Sequence, residues 1–521
     1  MSFKLTQEPW IPVVSPNFQV QEVSLIKLFE TWEDTREIQA DNPPTTLAIY
    51  RLLLAILHQA YQGPRDEEHW DEIYEDDGQQ AINYLREQED CFDLLHPERP
   101  FMQDKTLTVD QGAEIYQAYA LHGNNTSTVF CHEHQWSGSL LTMSEAARLV
   151  LRLHLFDVGG RKTGTPVSAG SIPTMNVVNV MACGKSLKET ILVNLMQYDK
   201  KAIPCVVDGE DLPIWDPKRE NNCPRERIPK GYIDYLTYQW RRVRLFSQKD
   251  GSDHVTKVAF QGGDRLPKDV SPSQWECGVP YKKLEKAGKS QQIGIRLDLR
   301  RSLWRDSHAI LQSSDSNSCP RIVNWIAKLK SDEELIEKGL IEEGKVHLKV
   351  FGLSVDQSKP LGWVSEQFSV PIDYLKEKQL QQALVKALET AEKHQKTIFG
   401  GYRGSPYQAL AKILNHPDAS CFAKSLDGES RYWANLDRKF QELLLPLSKD
   451  SETGGDETTI YGNRELPDWT KKVQRAARDA FTESIQSIRN YQARAIALKS
   501  LNYHLARLRG EKIDKKETKK S

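Results

Sequence analysis

The sequence predicts an α+β protein: a large mixed N-terminal domain with long loops over residues 1–371, then a C-terminal four-helix bundle over 372–510 and a disordered charged tail over 511–521. Three observations carry this. From Asp373 onward, apolar residues recur at helical spacing in separate stripes. Upstream, two-residue alternation and helical spacing are mixed without a regular strand–helix repeat. Between Val206 and Asp306, Pro, Gly and charged residues interrupt every period, which suits long loops and not a doubly wound sheet.

The opening residues read as a short strand. "PPTTLAIYRLLLAILHQAY" then places turn formers before Leu47, Tyr50, Leu54 and Leu57, which share one helical face. A second helix is expected over Glu145–Phe156, "EAARLVLRLHLF", directly before a glycine-rich loop. In "KVHLKVFGLSVDQSKPLGWVSEQ", Val346, Leu348 and Val350 alternate with His347 and Lys349. Asp356, Gln357, Ser358 and Lys359 are turn-like, and Leu361 and Trp363 resume the alternation. The segment reads as a β-hairpin with a polar tip.

Four stripes define the bundle: Leu380, Leu384, Leu388 and Ala391; Trp433, Leu436, Phe440 and Leu443; Trp469, Val473, Ala476, Ala480 and Ile488; and Ile496, Leu501, Leu505 and Leu508. No Gly or Pro separates the last two, and a break is expected near Asn490. The tail "EKIDKKETKKS" is too poor in apolar residues to join a core.

Hydrophobic residues make up 39% of the 521 and charged residues 27%, a globular balance. The formal net charge is −2, so a nucleic-acid surface must be a local patch. No run approaches the ~18 apolar residues of a membrane span, and "MSFKLTQEPW" lacks a signal-peptide core. The eight cysteines contain no C-x-x-C pair, which points to reduced thiols in a cytoplasmic protein, with no zinc ribbon or redox motif.

"DVGGRKTGTP", Asp157–Pro166, poses the main functional question. It is either a phosphate cradle or bare backbone to be pressed against a nucleic acid. Gly159 and Gly164 have P-loop spacing, but Thr165 and Pro166 stand where Lys and Ser or Thr are required. "FCHEHQW" places His132 and His134 on one strand face beside Cys131, yet a metal needs three or four ligands and no second cluster follows. "GGYRGSP", Gly400–Pro406, follows a helical stripe and reads as a C-terminal cap. "YLTYQWRRVRLFSQK" interleaves aromatics with Arg241, Arg242 and Arg244. Lys282, Lys283, Lys286, Lys289, Arg300, Arg301 and Arg305 follow, a composition that suits either phosphate neutralisation or an exposed strand face. No nucleophile triad, H-E-x-x-H or paired-carboxylate motif stands out, so no catalytic residue, metal or cofactor is expected.

Several islands, in order along the chain, resemble one family: "EPWIPV", "HPERPFMQ", "NNTSTVF", "GGRKTGTPV", "YQWRRVRL" and "LWRDSHA". They are similar to the large subunit of the type I-E CRISPR surveillance complex Cascade, the CasA/Cse family, which also ends in a four-helix bundle. The resemblance implies a non-catalytic cytoplasmic subunit of a prokaryotic guide-RNA complex with backbone and small subunits. Such a subunit recognises the protospacer-adjacent motif (PAM) of double-stranded target DNA from the minor groove. It helps open the duplex for guide-RNA pairing and receives a helicase–nuclease.

Carried onto this sequence, the resemblance puts the minor-groove glycine loop on Gly159 and Gly160, with Arg161 and Lys162 beside it. It puts a wedge hairpin on Asp356, Gln357 and Ser358, and a motif-reaching lysine on Lys286, chosen among Lys283, Lys286 and Lys289. A loop that contacts the complex or the DNA falls around Phe130 and His132, where Cys131 and His132 depart from the family's version. Asp356 stands where some members carry asparagine, and an ionised carboxylate accepts hydrogen bonds without donating them. The physics agrees: a glycine backbone enters a groove only ~6 Å wide where side chains clash, and cations alongside meet phosphates. Two other classes remain: a phosphate- or nucleotide-binding enzyme using residues 157–166, marked by ATP hydrolysis, and a helical scaffold without salt-dependent DNA binding.

Overall fold

The computed structural model describes residues 2–115, 118, 140–160, 167–168, 172–198, 210–219, 226–247, 254–286, 289–299, 302–311, 317–329, 332–357, 359–402, 404–449 and 465–511. Phe130, His132, Arg161, Lys162, Ser358 and the tail beyond Glu511 therefore lie outside the described residues, as does "FCHEHQW". The chain forms two compact units, Met1–Leu299 with Gln312–Ile372, and Arg300–Leu311 with Asp373–Ser521.

The first unit is mixed. β1 (Ile11–Val14) and β2 (Val20–Val23) pair, and after α1 (Leu25–Thr31) β3 (Glu37–Ile38) joins the other edge of β1. α2 (Pro43–Tyr61) starts where the Asn42 side chain accepts the Thr45 N–H, with proline in its first turn. Leu47, Tyr50, Leu54 and Leu57 are buried as expected, but so are Ile49, Leu53 and Ile56 on its other faces. A helix apolar all round is a central one, and α2 is enclosed by the rest of the unit. α3 (Glu67–Glu75) and α4 (Gln79–Glu87) follow.

β4 (Gly112–Glu114) and β5 (Leu141–Thr142) lead to α5 (Met143–Leu155), which begins with a capping box between Thr142 and Glu145. β6 (Gly159–Gly160) and β7 (Val167–Ser168) form a two-stranded ribbon. β8 (Asn179–Cys183), α6 (Leu187–Asn194) and α7 (Tyr232–Leu236) precede β9 (Arg241–Ser247) and β10 (His254–Gly262), which pair with each other. β10 also pairs with β4 and β5. β11 (Tyr281–Lys286) and β12 (Lys289–Gly294) make a hairpin.

Later in the chain, α8 (Ser307–Leu311) belongs to the second unit, and β13 (Asn317–Ser318) returns to pair with β11. α9 (Arg321–Lys328) and α10 (Asp332–Glu337) precede the long hairpin of β14 (Lys345–Asp356) and β15 (Lys359–Pro371). β8 covers the free edge of β14, giving the order β15-β14-β8. Val346, Leu348 and Val350 point into the core, as their alternation requires.

The second unit is helical: α11 (Asp373–Lys376), α12 (Lys378–Phe399), α13 (Pro406–Ile413), α14 (Ala419–Ser425), α15 (Gly428–Lys449), α16 (Glu465–Ser484) and α17 (Tyr491–Leu508). The first three stripes are buried on α12, α15 and α16, except that Ile488 falls beyond the end of α16. Asn490 caps α17 by accepting the Ala493 N–H, so the expected break lies at that residue. Ile496 is 40% exposed, while Leu501 and Leu505 are buried. The spacing therefore places the core face of α17 partly on the wrong side.

"LWRD" joins this unit, whereas the sequence reading assigns it to the first domain. Trp304 stacks on Phe440 at 4.3 Å and donates to Asp437, and Arg305 lies 3.5 Å from the ring centre of Trp433 and pairs with Glu392. The cap after α12 is shared by two glycines. Gly400 keeps a helical φ of −68°, and Gly401 takes the left-handed φ of +64°. A Cβ at Gly401 would sit 2.8 Å from the Ser420 Cα.

Leu384 is buried on α12. Leu384→Ala is expected to destabilise the helical unit by about 2–5 kcal/mol through lost burial and the cavity left behind. Urea unfolding of the full chain followed by far-ultraviolet circular dichroism reads this as an earlier helical transition. An unchanged midpoint would place Leu384 outside the core.

Candidate nucleic-acid interface

The glycine ribbon grows directly out of α5. Asp157, two residues past the helix end, is completely buried, and its Oδ2 accepts both the Gly159 N–H at 3.0 Å and Nε–H of Arg241 at 2.9 Å. Gly159 has φ +72°, a conformation glycine adopts without penalty. Gly159 pairs with Ser168 and Gly160 with Val167, a two-stranded ribbon anchored by a buried carboxylate.

This anchor corrects one reading of the sequence. Arg241 is 1% exposed and Arg242 is also buried, both on β9. Arg241 pairs with Asp157, and Arg242 with Asp104 at 3.3 Å and Asp264 at 3.5 Å. Burial pushes the Arg244 guanidinium below its ordinary value. Arg305 is committed to Glu392 and Trp433. Arg244 is half-buried, and Arg241, Arg242 and Arg305 spend their charge inside the fold. Their carboxylate partners lie far off in sequence, so the run looks like an exposed basic patch.

The last turn of α5 fixes neighbouring segments as well. Arg152 donates to the Ala118 carbonyl at 2.7 Å, just before residues 119–139. His154 Nε2 donates to the Met102 carbonyl of "HPERPFMQ" at 2.8 Å. Burial pushes the His154 imidazole down to about 4, so it is neutral at pH 7. Gln103 of the same motif supports β9, its Oε1 accepting the Leu245 N–H at 2.8 Å.

The β14–β15 hairpin ends in the pair Asp356↔Lys359, with Gln357 at its tip. Asp356 and Gln357 are exposed, and Gln357 has φ +46°. A non-glycine residue there carries about 1–2 kcal/mol of strain. The register shifts between Ser354 and Val355, where a bulge sharpens the local twist. Just past the bulge, Leu361 is 59% and Trp363 49% exposed.

The β11–β12 hairpin closes with Lys286 opposite Lys289 and carries exposed Lys282 and Lys283. Lys286 therefore stands at a hairpin end, and its side chain lies outside the described atoms.

One stretch, Ile172–Val178, links these three elements. The Thr174 hydroxyl donates to the Leu155 carbonyl at 2.6 Å, at the root of the glycine ribbon. Asn176 N–H donates to the Leu353 carbonyl of β14, and the Asn176 carbonyl accepts from Leu297 N–H. Val178 N–H donates to the Ile295 carbonyl, just past β12. The glycine ribbon, the long hairpin and the lysine hairpin thus share one framework. Sequence reasoning finds the glycine stretch, the long hairpin and the lysines, and misses the hairpin that carries the lysines, the pairing of Asp157 with Arg241, and Asn176. Only Asp157 carries a signal, its place at the head of the glycine stretch.

The family model for the CRISPR-associated protein Cse1 matches residues 4–480 of this chain. The chain belongs to the Cse1 family. It is similar to the CRISPR-associated protein CasA/Cse1 of Thermus thermophilus, 29% identical over 476 residues that cover 86% of this chain and 88% of that protein. Among solved structures it resembles Thermobifida fusca Cse1, with a TM-score of 0.77 at 22% identity over 98% of this chain and 99% of that one. It also resembles a chain of a CRISPR RNA-guided surveillance complex, with a TM-score of 0.73 at 19% identity over 97% and 99%.

In this Cse1-family chain, burial disarms groups that would interest an enzymologist. Cys183 lines a cavity of about 340 Å³ with Arg36, Lys349 and His347, but burial pushes its thiol up to about 12, away from the reactive thiolate. Among the described residues, no group of His, Cys, Asp and Glu is arranged to hold a metal ion, and no helix is long and apolar enough to cross a membrane.

Proposed function

We propose that this chain is the large, non-catalytic subunit of an RNA-guided CRISPR surveillance complex in the prokaryotic cytoplasm, and that it recognises the PAM of double-stranded DNA. The glycine ribbon at Gly159 and Gly160 enters the minor groove, with Arg161 and Lys162 against phosphates and Lys286 reaching in from the neighbouring hairpin. Asp356, Gln357 and Ser358 at the hairpin tip part the first base pairs so that guide RNA can enter. Phe130 and His132 belong to a loop that meets the complex or the DNA. The helical unit is a four-helix bundle, and the assembled subunit receives a helicase–nuclease.

The observation that carries this reading, beside family membership, is Gln357. It is exposed, at a hairpin tip, with φ +46° where glycine would be unstrained. A side chain kept under strain with no core to fill has its use in what it touches. A glutamine amide can both donate to and accept from the edges of separated bases.

Gln357→Ala in the assembled, guide-loaded complex is expected to weaken binding to fully paired target DNA. Parting a base-pair step costs on the order of 1–2 kcal/mol, so the loss is roughly fivefold or more. Binding to a target with its first pairs already open should stay near normal, because the opening work is done. Equal losses on both targets, or no loss on either, would remove Gln357 from duplex opening. ATP hydrolysis by the purified chain would favour the nucleotide-binding reading of residues 157–166.

A further inference from the structure

β8 runs along the edge of β14 only from Cys183 opposite His347 to Asn179 opposite Phe351. Beyond that rung, towards the tip, the edge of β14 would be open. Asn176 covers it. Its N–H donates to the Leu353 carbonyl at 3.1 Å, and its side-chain Oδ1 accepts the Val355 N–H at 2.6 Å. Val355 adjoins the register shift and lies two residues before Gln357. The side chain takes the place that the next backbone carbonyl of a longer β8 would occupy. The backbone at Asn176 turns away with φ +60°, a left-handed conformation that asparagine tolerates better than most residues.

We infer that Asn176 is a positioning residue for the hairpin tip: its side-chain oxygen fixes the bulge that aims Gln357. It also ties that aim to the root of the glycine ribbon, where Thr174 of the same stretch donates to the Leu155 carbonyl. The inference rests on the proposed role of Gln357 and adds to it a residue that touches no DNA. A hairpin is marginal by itself, and a bulge two residues from its end is where it would fray. The Asn176 oxygen removes that freedom before DNA arrives, so less ordering remains to be done on binding.

Two substitutions separate the oxygen from the backbone shape. Asn176→Gly keeps the left-handed turn and deletes the acceptor. Asn176→Asp keeps an acceptor and tolerates the same backbone. In the assembled complex, Asn176→Gly should weaken binding to fully paired target about three- to tenfold, the worth of one hydrogen bond. It should leave a pre-opened target within about twofold, a difference too small to reflect a lost hydrogen bond. Asn176→Asp should bind both as the parent does. Hydrogen exchange on the subunit should show faster exchange over Ser354–Val355 in the glycine variant only.

Gln357→Ala is run alongside. If it loses paired-target binding while Asn176→Gly does not, Asn176 has no positioning role and the reading of Gln357 stands. If Gln357→Ala itself loses nothing, the proposed tip function fails and this inference with it. Equal losses by Asn176→Gly on both targets, or a loss in Asn176→Asp as large as in the glycine variant, would also overturn it.

Discussion

Gly160→Asp is expected to abolish the preference of the assembled complex for duplexes that carry the motif. Gly160 pairs with Val167 in the two-stranded ribbon. The ribbon leaves Asp157 through Gly159, whose φ of +72° no bulky residue adopts comfortably. Two adjacent residues without side chains leave a backbone edge that can be brought close to a base edge. A carboxylate added at 160 opposes this approach twice, by bulk in a groove ~6 Å wide and by repulsion from phosphates on both sides. One misread base pair costs about 1–3 kcal/mol in protein–DNA complexes, so discrimination should fall by roughly 5- to 150-fold. The complex should still assemble and still bind single-stranded target, which has no groove to enter. Titrations on duplexes with and without the motif, at one fixed salt concentration, measure the ratio. An unchanged ratio would take the loop out of motif recognition.

Asp157→Asn is expected to destabilise the first unit by about 3–5 kcal/mol, the range for breaking a buried ion pair from one side. Asp157 and Arg241 are 0% and 1% exposed, so water cannot replace the lost charge. An asparagine oxygen can still accept the Gly159 N–H, but the guanidinium loses its counter-charge in a low-dielectric site. Arg241→Met should cost a similar amount by removing the guanidinium that faces the buried carboxylate. Asp157→Leu with Arg241→Met should recover part of the loss, because neither charge then has to be desolvated. It leaves Gly159 N–H without its acceptor, at about 1–3 kcal/mol. Urea unfolding of the three variants gives the comparison. A cost below about 1 kcal/mol for Asp157→Asn would match an exposed pair and contradict the burial.

The helices and the long hairpin were legible because their signals are local. Tyr50 and Leu54, or Leu384 and Leu388, lie one turn apart whatever they pack against. Val346, Leu348 and Val350 declare a strand by alternation, and "DQSK" declares its turn. Asn490 could be read as a helix boundary from its capping chemistry. The glycine stretch was legible as a place where bare backbone follows a helix. Ile496 was misjudged because a helix with apolar residues on several sides does not say which side meets its neighbours.

By itself, then, the sequence determined where backbone takes a regular form and where glycine frees it, since both follow from spacing along a single segment. Only the tertiary structure decided what the charges do. Arg241 and Arg242 read as a basic patch until folding brought Asp157, Asp104 and Asp264 against them. Nothing local to Asn176 marks it, and folding sets its oxygen beside the Val355 amide. A polar side chain has no fixed role of its own. Burial and the partner it meets assign one, and those partners come from segments that only the folded chain brings together.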